Sequence, residues 1–301
     1  MNRRSFLSGF SSLPFFSTLV SNAEEINKKN KSAILLWMGG GPSTMDIWDL
    51  KPGAPTGGPF RPINTSGDVQ ICEHMPLMAK QMHNAAIIRS MSTREADHMR
   101  GRYYMHTGYV PNPSIDHPSY GSVISHQSPR PDLSIPKFIS VGGGSVGAGF
   151  LGSKYAPFSV NSDGRIRNLD VKVDQRFYQR AYALDAIETG FINQRRGSLA
   201  KEHQSVLKEA FNVLTSSQMD ALKVAGEPEN VKERYGNNSF GKGCLMARRL
   251  VEAGVPFIEV NLGGWDNHQN IHATLRDNKL PMLDQGMSAL FEDRDWETSF
   301  Y

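Results

Sequence analysis

Short apolar runs closed by glycine recur along the chain, and the stretches between them carry apolar residues at helical spacing. The first run, Ala33-Ile34-Leu35-Leu36-Trp37-Met38, is stopped by Gly39-Gly40-Gly41-Pro42. A run of this length without polar alternation predicts a strand buried on both faces, as in a parallel sheet. Ala85–Arg89 and Lys137–Val141 repeat the pattern, and the latter leads into a glycine cluster. Pro256–Val260 is a fourth strand, with Gly263-Gly264-Trp265-Asp266-Asn267-His268 as its outgoing loop. Pro76–His83 and His98–His106 read as helices, and the second closes at Thr107-Gly108, where glycine commonly ends a helix. Ser239–Ala253 places Phe240, Cys244, Ala247 and Val251 at helical spacing, with Gly254 as the stop. Lys51–Pro62 is an irregular loop rich in Gly and Pro, and Val173–Leu222 reads as mainly helical, a lid or peripheral bundle. Strands alternating with helices predict an α/β architecture around a mostly parallel sheet.

The ends and the charge balance refine this picture. Arg3-Arg4-Ser5-Phe6-Leu7 begins a basic, then apolar, leader that closes on the small residues Ser21-Asn22-Ala23. This is the pattern of a twin-arginine signal over residues 1–23, followed by a flexible leader over 24–32. The expectation is an exported chain, periplasmic or extracellular, that meets the twin-arginine translocase during export. The leader is too short and too broken by polar residues for a stable membrane anchor, which needs about 20 apolar residues. With 33 basic and 30 acidic residues, the chain offers no electrostatic case for nucleic acid as a partner. Cys72 and Cys244 lack the spacing of a zinc or redox site and read as structural.

In open α/β sheets, ligands bind beyond the carboxyl ends of the strands. Three loops at such positions carry side chains of metal-ligand type. The first holds Ser43 and Asp46, the second Asp97-His98, and the third Asp266 and His268, with His272 one helical turn further on. Carboxylate oxygen and imidazole nitrogen suit zinc-like ions in an open catalytic site, where an ion polarises a phosphoryl or sulfuryl oxygen. Taken singly, Asp46 also reads as a helix cap and His98 as a packed helix residue. A competing motif, Val141-Gly142-Gly143-Gly144-Ser145-Val146-Gly147, fits the G-x-G-x-x-G dinucleotide fingerprint of an oxidoreductase. The sequence after it stays glycine-rich instead of turning helical, and Asp163-Gly164 reads as a turn instead of a ribose contact. Neither a P-loop nor a G-x-S-x-G elbow occurs.

The run from Leu36 through Gly39-Gly40-Gly41-Pro42-Ser43-Thr44-Met45-Asp46 to Gly53 resembles the opening motif of a secreted family. That family is the domain of unknown function numbered 1501, a sulfatase-like branch of the alkaline-phosphatase superfamily. Arg89-Ser90-Met91, Tyr103-Tyr104-Met105-His106-Thr107-Gly108, Phe150-Leu151-Gly152 and Gly264-Trp265-Asp266-Asn267-His268 are similar to its later motifs. The resemblance covers a domain over residues 33–291. It implies an alkaline-phosphatase-like three-layer fold with a mostly parallel sheet, and a centre holding a divalent metal such as zinc or calcium. It further implies hydrolysis of a phosphate or sulfate ester of a small molecule or carbohydrate, with Asp46, Asp266 and His268 as metal ligands and His98 as nucleophile or ligand. Two departures stand out. His98 lies nine residues before Thr107, where sulfatases carry a modified cysteine or a serine, and Cys-x-Pro-Ser-Arg is absent. The family continues past Phe291 into another strand, a Gly-Glu-Phe-Gly-Arg motif and an Asp-His pair, whereas residues 292–301 form a different tail. The sequence therefore predicts a chain truncated at its C-terminal end. The alternative it leaves is a non-catalytic secreted binding protein or the remnant of a hydrolase.

Overall fold

A computed structural model describes residues 31–165, 175–193, 213 and 215–293. The signal, all of the leader except its last two residues, and residues 294–301 of the tail lie outside the described residues. So does most of the segment between Asn193 and Ser216.

Among the described residues six strands form: β1 (Ala33–Met38), β2 (Pro62–Ile63), β3 (Ile71–Cys72), β4 (Phe138–Val141), β5 (Phe158–Val160) and β6 (Phe257–Leu262). Four of them build one parallel sheet in the order β1-β6-β4-β5, and β2 and β3 make a separate antiparallel pair. The helices are α1 (Thr44–Ile47), α2 (Pro76–Ala79), α3 (His98–Thr107), α4 (Tyr120–Gln127), α5 (Gln175–Asn193), α6 (Glu229–Tyr235), α7 (Ser239–Glu252), α8 (Ile271–Thr274) and α9 (Leu280–Asp293). The chain is thus an α/β protein with helices on both faces of a parallel sheet.

Alternation along the central strands decides what each face buries. Ile258, Val260 and Leu262 of β6, with Ile139 and Val141 of β4, point into an apolar core closed by α7 and α9. Gly243 of α7 comes so close that a Cβ there would sit 2.8 Å from Val260 and 3.3 Å from Val141. The opposite face is mixed. Phe138 and Phe257 meet edge to face under Gly121 of α4, while Ser140 and Glu259, partners in register, are wholly buried beside them.

Several elements fall where the apolar pattern puts them. α3 opens on Asp97, whose carboxylate accepts from the amides of Met99 and Arg100, and ends on Gly108 at φ 78°. α7 opens on an Asn238 cap and turns out before Gly254 at φ 90°. Two expectations fail. Ala85–Arg89 forms no strand but runs as irregular chain, because among the described residues no strand pairs with it. Pro76–His83 breaks into four-residue α2 and a 3₁₀ turn at Met82–Asn84. Cys72 and Cys244 are both free and buried.

β1 borders the sheet. Ala33 and Gly39 donate their amides towards β6, so the peptide groups of Ile34, Leu36 and Met38 face away from it, with no strand beside them among the described residues. No described helix is long and apolar enough to cross a membrane.

Candidate functional site

The outgoing loops of β1 and β6 are built against each other. Gly39 donates to the Leu262 carbonyl and accepts from Trp265 N–H, both at 3.1 Å. Trp265 is buried, and its indole N–H returns to the Leu262 carbonyl at 2.7 Å, which locks the β6 loop. Gly40 sits at φ 113°, where a Cβ would come within 2.6 Å of the Asp266 amide. Only glycine satisfies both the backbone angle and that approach. Asp266 therefore projects from a loop fixed at both ends.

The amino end of α3 meets it. His98, first residue of the helix, lies across Gly41, with Nε2 3.1 Å from Asp266 Oδ2. His268 brings its Nε2 to 2.7 Å from Asp266 Oδ1. One carboxylate thus bridges two imidazoles at the carboxyl edge of the sheet. All three side chains remain substantially exposed, at 60%, 47% and 84% for His98, Asp266 and His268. They are open to a ligand, and salt will screen their mutual attraction.

Asp46 goes elsewhere. It is 5% exposed; Oδ2 accepts from the Ser43 hydroxyl at 2.6 Å, and buried Oδ1 has no hydrogen-bond donor. His272 Nε2 stands 3.4 Å from that oxygen, close enough for an ion pair but outside hydrogen-bond geometry. A Cβ at Gly58 would collide with the same oxygen. The structure therefore brings His98, Asp266 and His268 together, and pairs Asp46 with His272 in a second contact.

Among the described residues no three His, Cys, Asp or Glu side chains group around one ion position. In the Asp266 trio the two nitrogens face opposite carboxylate oxygens, as two separate ion-pair contacts. The Asp46–His272 contact differs: its orphaned oxygen and its 3.4 Å spacing match the roughly 3.3 Å between ligand atoms each about 2.0–2.1 Å from tetrahedral zinc. An ion there would have two protein ligands. Imidazole among them favours zinc over calcium.

A cavity of about 650 Å³ opens beside the trio, between β1 with its glycine loop and α3. Arg102 of α3 lines it. Its Nε is buried without an acceptor, and the guanidinium has no ion-pair partner among the described residues, although the carboxylates of Glu95 and Asp97 line the same cavity. Behind this wall, His106 is buried against Glu259, and Ser145 donates to the same carboxylate. The sequence reading assigns none of Arg102, His106, Glu259 and Ser145 a place in the metal site. Two signals were present: His98, Arg102 and His106 recur every four residues on one helix face, and Glu259 interrupts an otherwise apolar strand.

The glycine run after β4 opens no helix. Gly142, Gly143 and Gly144 all have positive φ, and a 3₁₀ turn at Gly149–Leu151 follows. Asp163 pairs with Arg165 across a turn containing Gly164.

The family model for a protein of unknown function, DUF1501, matches residues 30–295. The chain belongs to the DUF1501 family. No curated protein and no solved structure matches it significantly. The match encloses each side chain of the trio, the Asp46–His272 contact and Arg102, so within this DUF1501 chain all of them lie in family sequence.

Proposed function

We propose that this DUF1501 chain is an exported, sulfatase-like hydrolase of phosphate or sulfate esters, in which His98 does the covalent work. The observation that carries this reading is the contact of His98 Nε2 with Asp266, 3.1 Å apart at the mouth of a cavity containing unpaired Arg102. A carboxylate beside Nε2 favours the proton on that nitrogen and leaves the ring's lone pair on Nδ1, the form of imidazole that attacks an electrophile. Arg102 offers a planar, permanently charged donor set for the equatorial oxygens of a tetrahedral anion. In the first step Nδ1 forms a bond to phosphorus or sulfur as the ester P–O or S–O bond breaks. His268, cationic with its Nε2–H facing Asp266, delivers its Nδ1 proton to the departing alkoxide. Water then attacks the phospho- or sulfo-histidine, losing its proton to His268 and releasing the inorganic anion with His98 restored. Asp266 serves both rings, one through each oxygen. A divalent cation held by Asp46 and His272 would supply further positive charge for the ester anion. The three-layer alkaline-phosphatase-like fold belongs to the same proposal, supported by the parallel sheet and the placement of the site beyond its carboxyl ends.

The test is turnover of 4-nitrophenyl phosphate and 4-nitrophenyl sulfate by the purified protein. His98→Gln and Asp266→Asn should each lower the rate by about 10²–10⁴-fold. Wild-type rates surviving in His98→Gln would remove His98 from the chemistry, and no turnover of either ester would favour a non-catalytic binding role. Export is tested by Arg3→Lys with Arg4→Lys, which should retain the protein in the cytoplasm; continued export would refute the twin-arginine assignment.

A further inference from the structure

His106 and Glu259 meet where water does not reach, at 2% and 0% side-chain exposure. Each polar atom of the pair has a partner, and those partners fix the proton count. His106 Nδ1 lies 2.9 Å from the Arg102 carbonyl, which can only accept, so Nδ1 carries a hydrogen. Nε2 lies 3.3 Å from Glu259 Oε1, and the Ser145 hydroxyl is 2.6 Å from Oε2. A neutral ring facing an ionised carboxylate would set a lone pair against a buried negative charge, the arrangement such a site least tolerates. One more proton must therefore sit between Nε2 and Oε1. The surroundings favour placing it on the ring. The Arg102 carbonyl and the Ser145 hydroxyl each stabilise the ionised forms, and the Trp37 ring lies 4.2 Å from the imidazole, within the roughly 6 Å at which an indole attracts a cation.

The same carboxylate anchors a loop. Gly142, Gly143 and Gly144 adopt positive φ and have little intrinsic stiffness. Two side chains tie that loop to β6: Asn261 donates to the Gly143 carbonyl at 2.8 Å, and Ser145 donates to Glu259. Gly144 in turn faces Arg102, because a Cβ there would lie 3.4 Å from a guanidinium nitrogen. Glu259 is thus connected to Arg102 by two routes, through His106, which bonds the Arg102 backbone carbonyl, and through Ser145, whose neighbour Gly144 faces the guanidinium.

We infer that His106 and Glu259 form a buried imidazolium–carboxylate pair, and that Glu259 is a positioning residue that aims Arg102 into the cavity. The second half rests on the reading of Arg102 as the receptor for the ester anion; the first half does not.

Nitrogen-15 spectra of histidine-labelled protein at pH 7 test the pair directly. In the wild type both His106 nitrogens should show the imidazolium shift. In Glu259→Gln the ring should become neutral, with one bare nitrogen, and the amides of Gly142–Gly144 should exchange faster. Ser145→Ala should loosen the same amides while leaving the imidazolium intact, and it carries the loop test should Glu259→Gln fail to fold. Inorganic sulfate, titrated as the probe, should bind about tenfold more weakly to both variants, the usual scale for losing one buried polar contact. A neutral His106 in the wild type would overturn the proposal, as would glycine amides and sulfate affinity unmoved by Ser145→Ala. Wild-type protein that ignores sulfate but shows the imidazolium would remove the anion site and leave the buried pair standing.

Discussion

Asp284→Ala is the substitution whose cost is easiest to work out from the structure. α2 is four residues long and begins on Met75, which offers no capping side chain. Its first free amides are capped from α9 instead: Asp284 accepts from Leu77 N–H at 3.0 Å and from Met78 N–H at 2.6 Å, across 207 and 206 residues of sequence. Met78 is fully buried, whereas Leu77 is 41% exposed. Without the carboxylate the Met78 amide has neither acceptor nor water, a loss of about 1–3 kcal/mol. The Leu77 amide can turn to solvent, and its loss is about 0.5–1 kcal/mol, the low end for a cap. Relief of the buried charge offsets part of this, so the variant should be less stable by roughly 2–3 kcal/mol at pH 7. Urea unfolding followed by circular dichroism should show the midpoint lower by about 1 M or slightly less, for a slope near 3 kcal/mol/M. Asp284→Asn keeps one acceptor and should lose about half as much. Burial pushes the Asp284 carboxyl up from its ordinary 3.8, so the folded chain keeps a proton that the unfolded chain has released. The contribution of this group to stability is then fully present below 3.8 and declines as pH rises through the folded value. The gap between wild type and Asp284→Ala should accordingly be wider at pH 3.5 than at pH 7. An Ala variant within 0.5 kcal/mol of wild type would refute the capping argument, and a gap that widens with rising pH would refute the upward shift assigned to burial.

Further expectations can be checked with simple measurements. Zinc titrated calorimetrically into the metal-free protein should bind at one site and should no longer do so in Asp46→Ala or His272→Ala; affinity indifferent to both changes would discard that pair as ligands. Gly40→Ala forces a positive φ on a side chain and drives it into the Asp266 amide, so it should destabilise the fold by about 1–3 kcal/mol and displace Asp266. An Ala variant with unchanged melting and unchanged sulfate affinity would contradict the close approach of the two loops. Burial raises the Cys72 thiol to about 11 and pushes Cys244 well up too, so neither should react with a thiol reagent at pH 8 until denaturant is added. Rapid labelling of the native protein would show that one of them is accessible.

The layered plan of the fold was legible wherever local signals and burial agreed. β1, β4 and β6 lie within one or two residues of the apolar runs, and α3 and α7 stop at the glycines that invite a left-handed turn. Ala85–Arg89 shows the limit of that reasoning, since an apolar run becomes a strand only when a neighbour accepts its peptide groups. β5 was missed for the converse reason: Phe158–Val160 is three residues long and owes its state to β4 alone. Within the site, Asp266 and His268 emerge directly after β6, where a strand end fixes roughly where its loop goes, whereas His98 reaches Asp266 although the run before it, Ala85–Arg89, is no strand. Asp46 meets His272 instead of the trio, because α1 turns that carboxylate under Gly58. The His106–Glu259–Ser145 cluster joins three segments 153 and 114 residues apart, and no local pattern encodes such a meeting.

The outer margin of β1 has a practical corollary. The alternate outward peptide groups of Ile34, Leu36 and Met38, with no strand beside them among the described residues, form the kind of edge on which another extended chain can pair. At the concentrations of purification and storage, molecules of this protein will therefore tend to zip together or to carry contaminating chains along. Charge placed at Leu36, or detergent held below its micelle concentration, is the remedy that follows from the geometry.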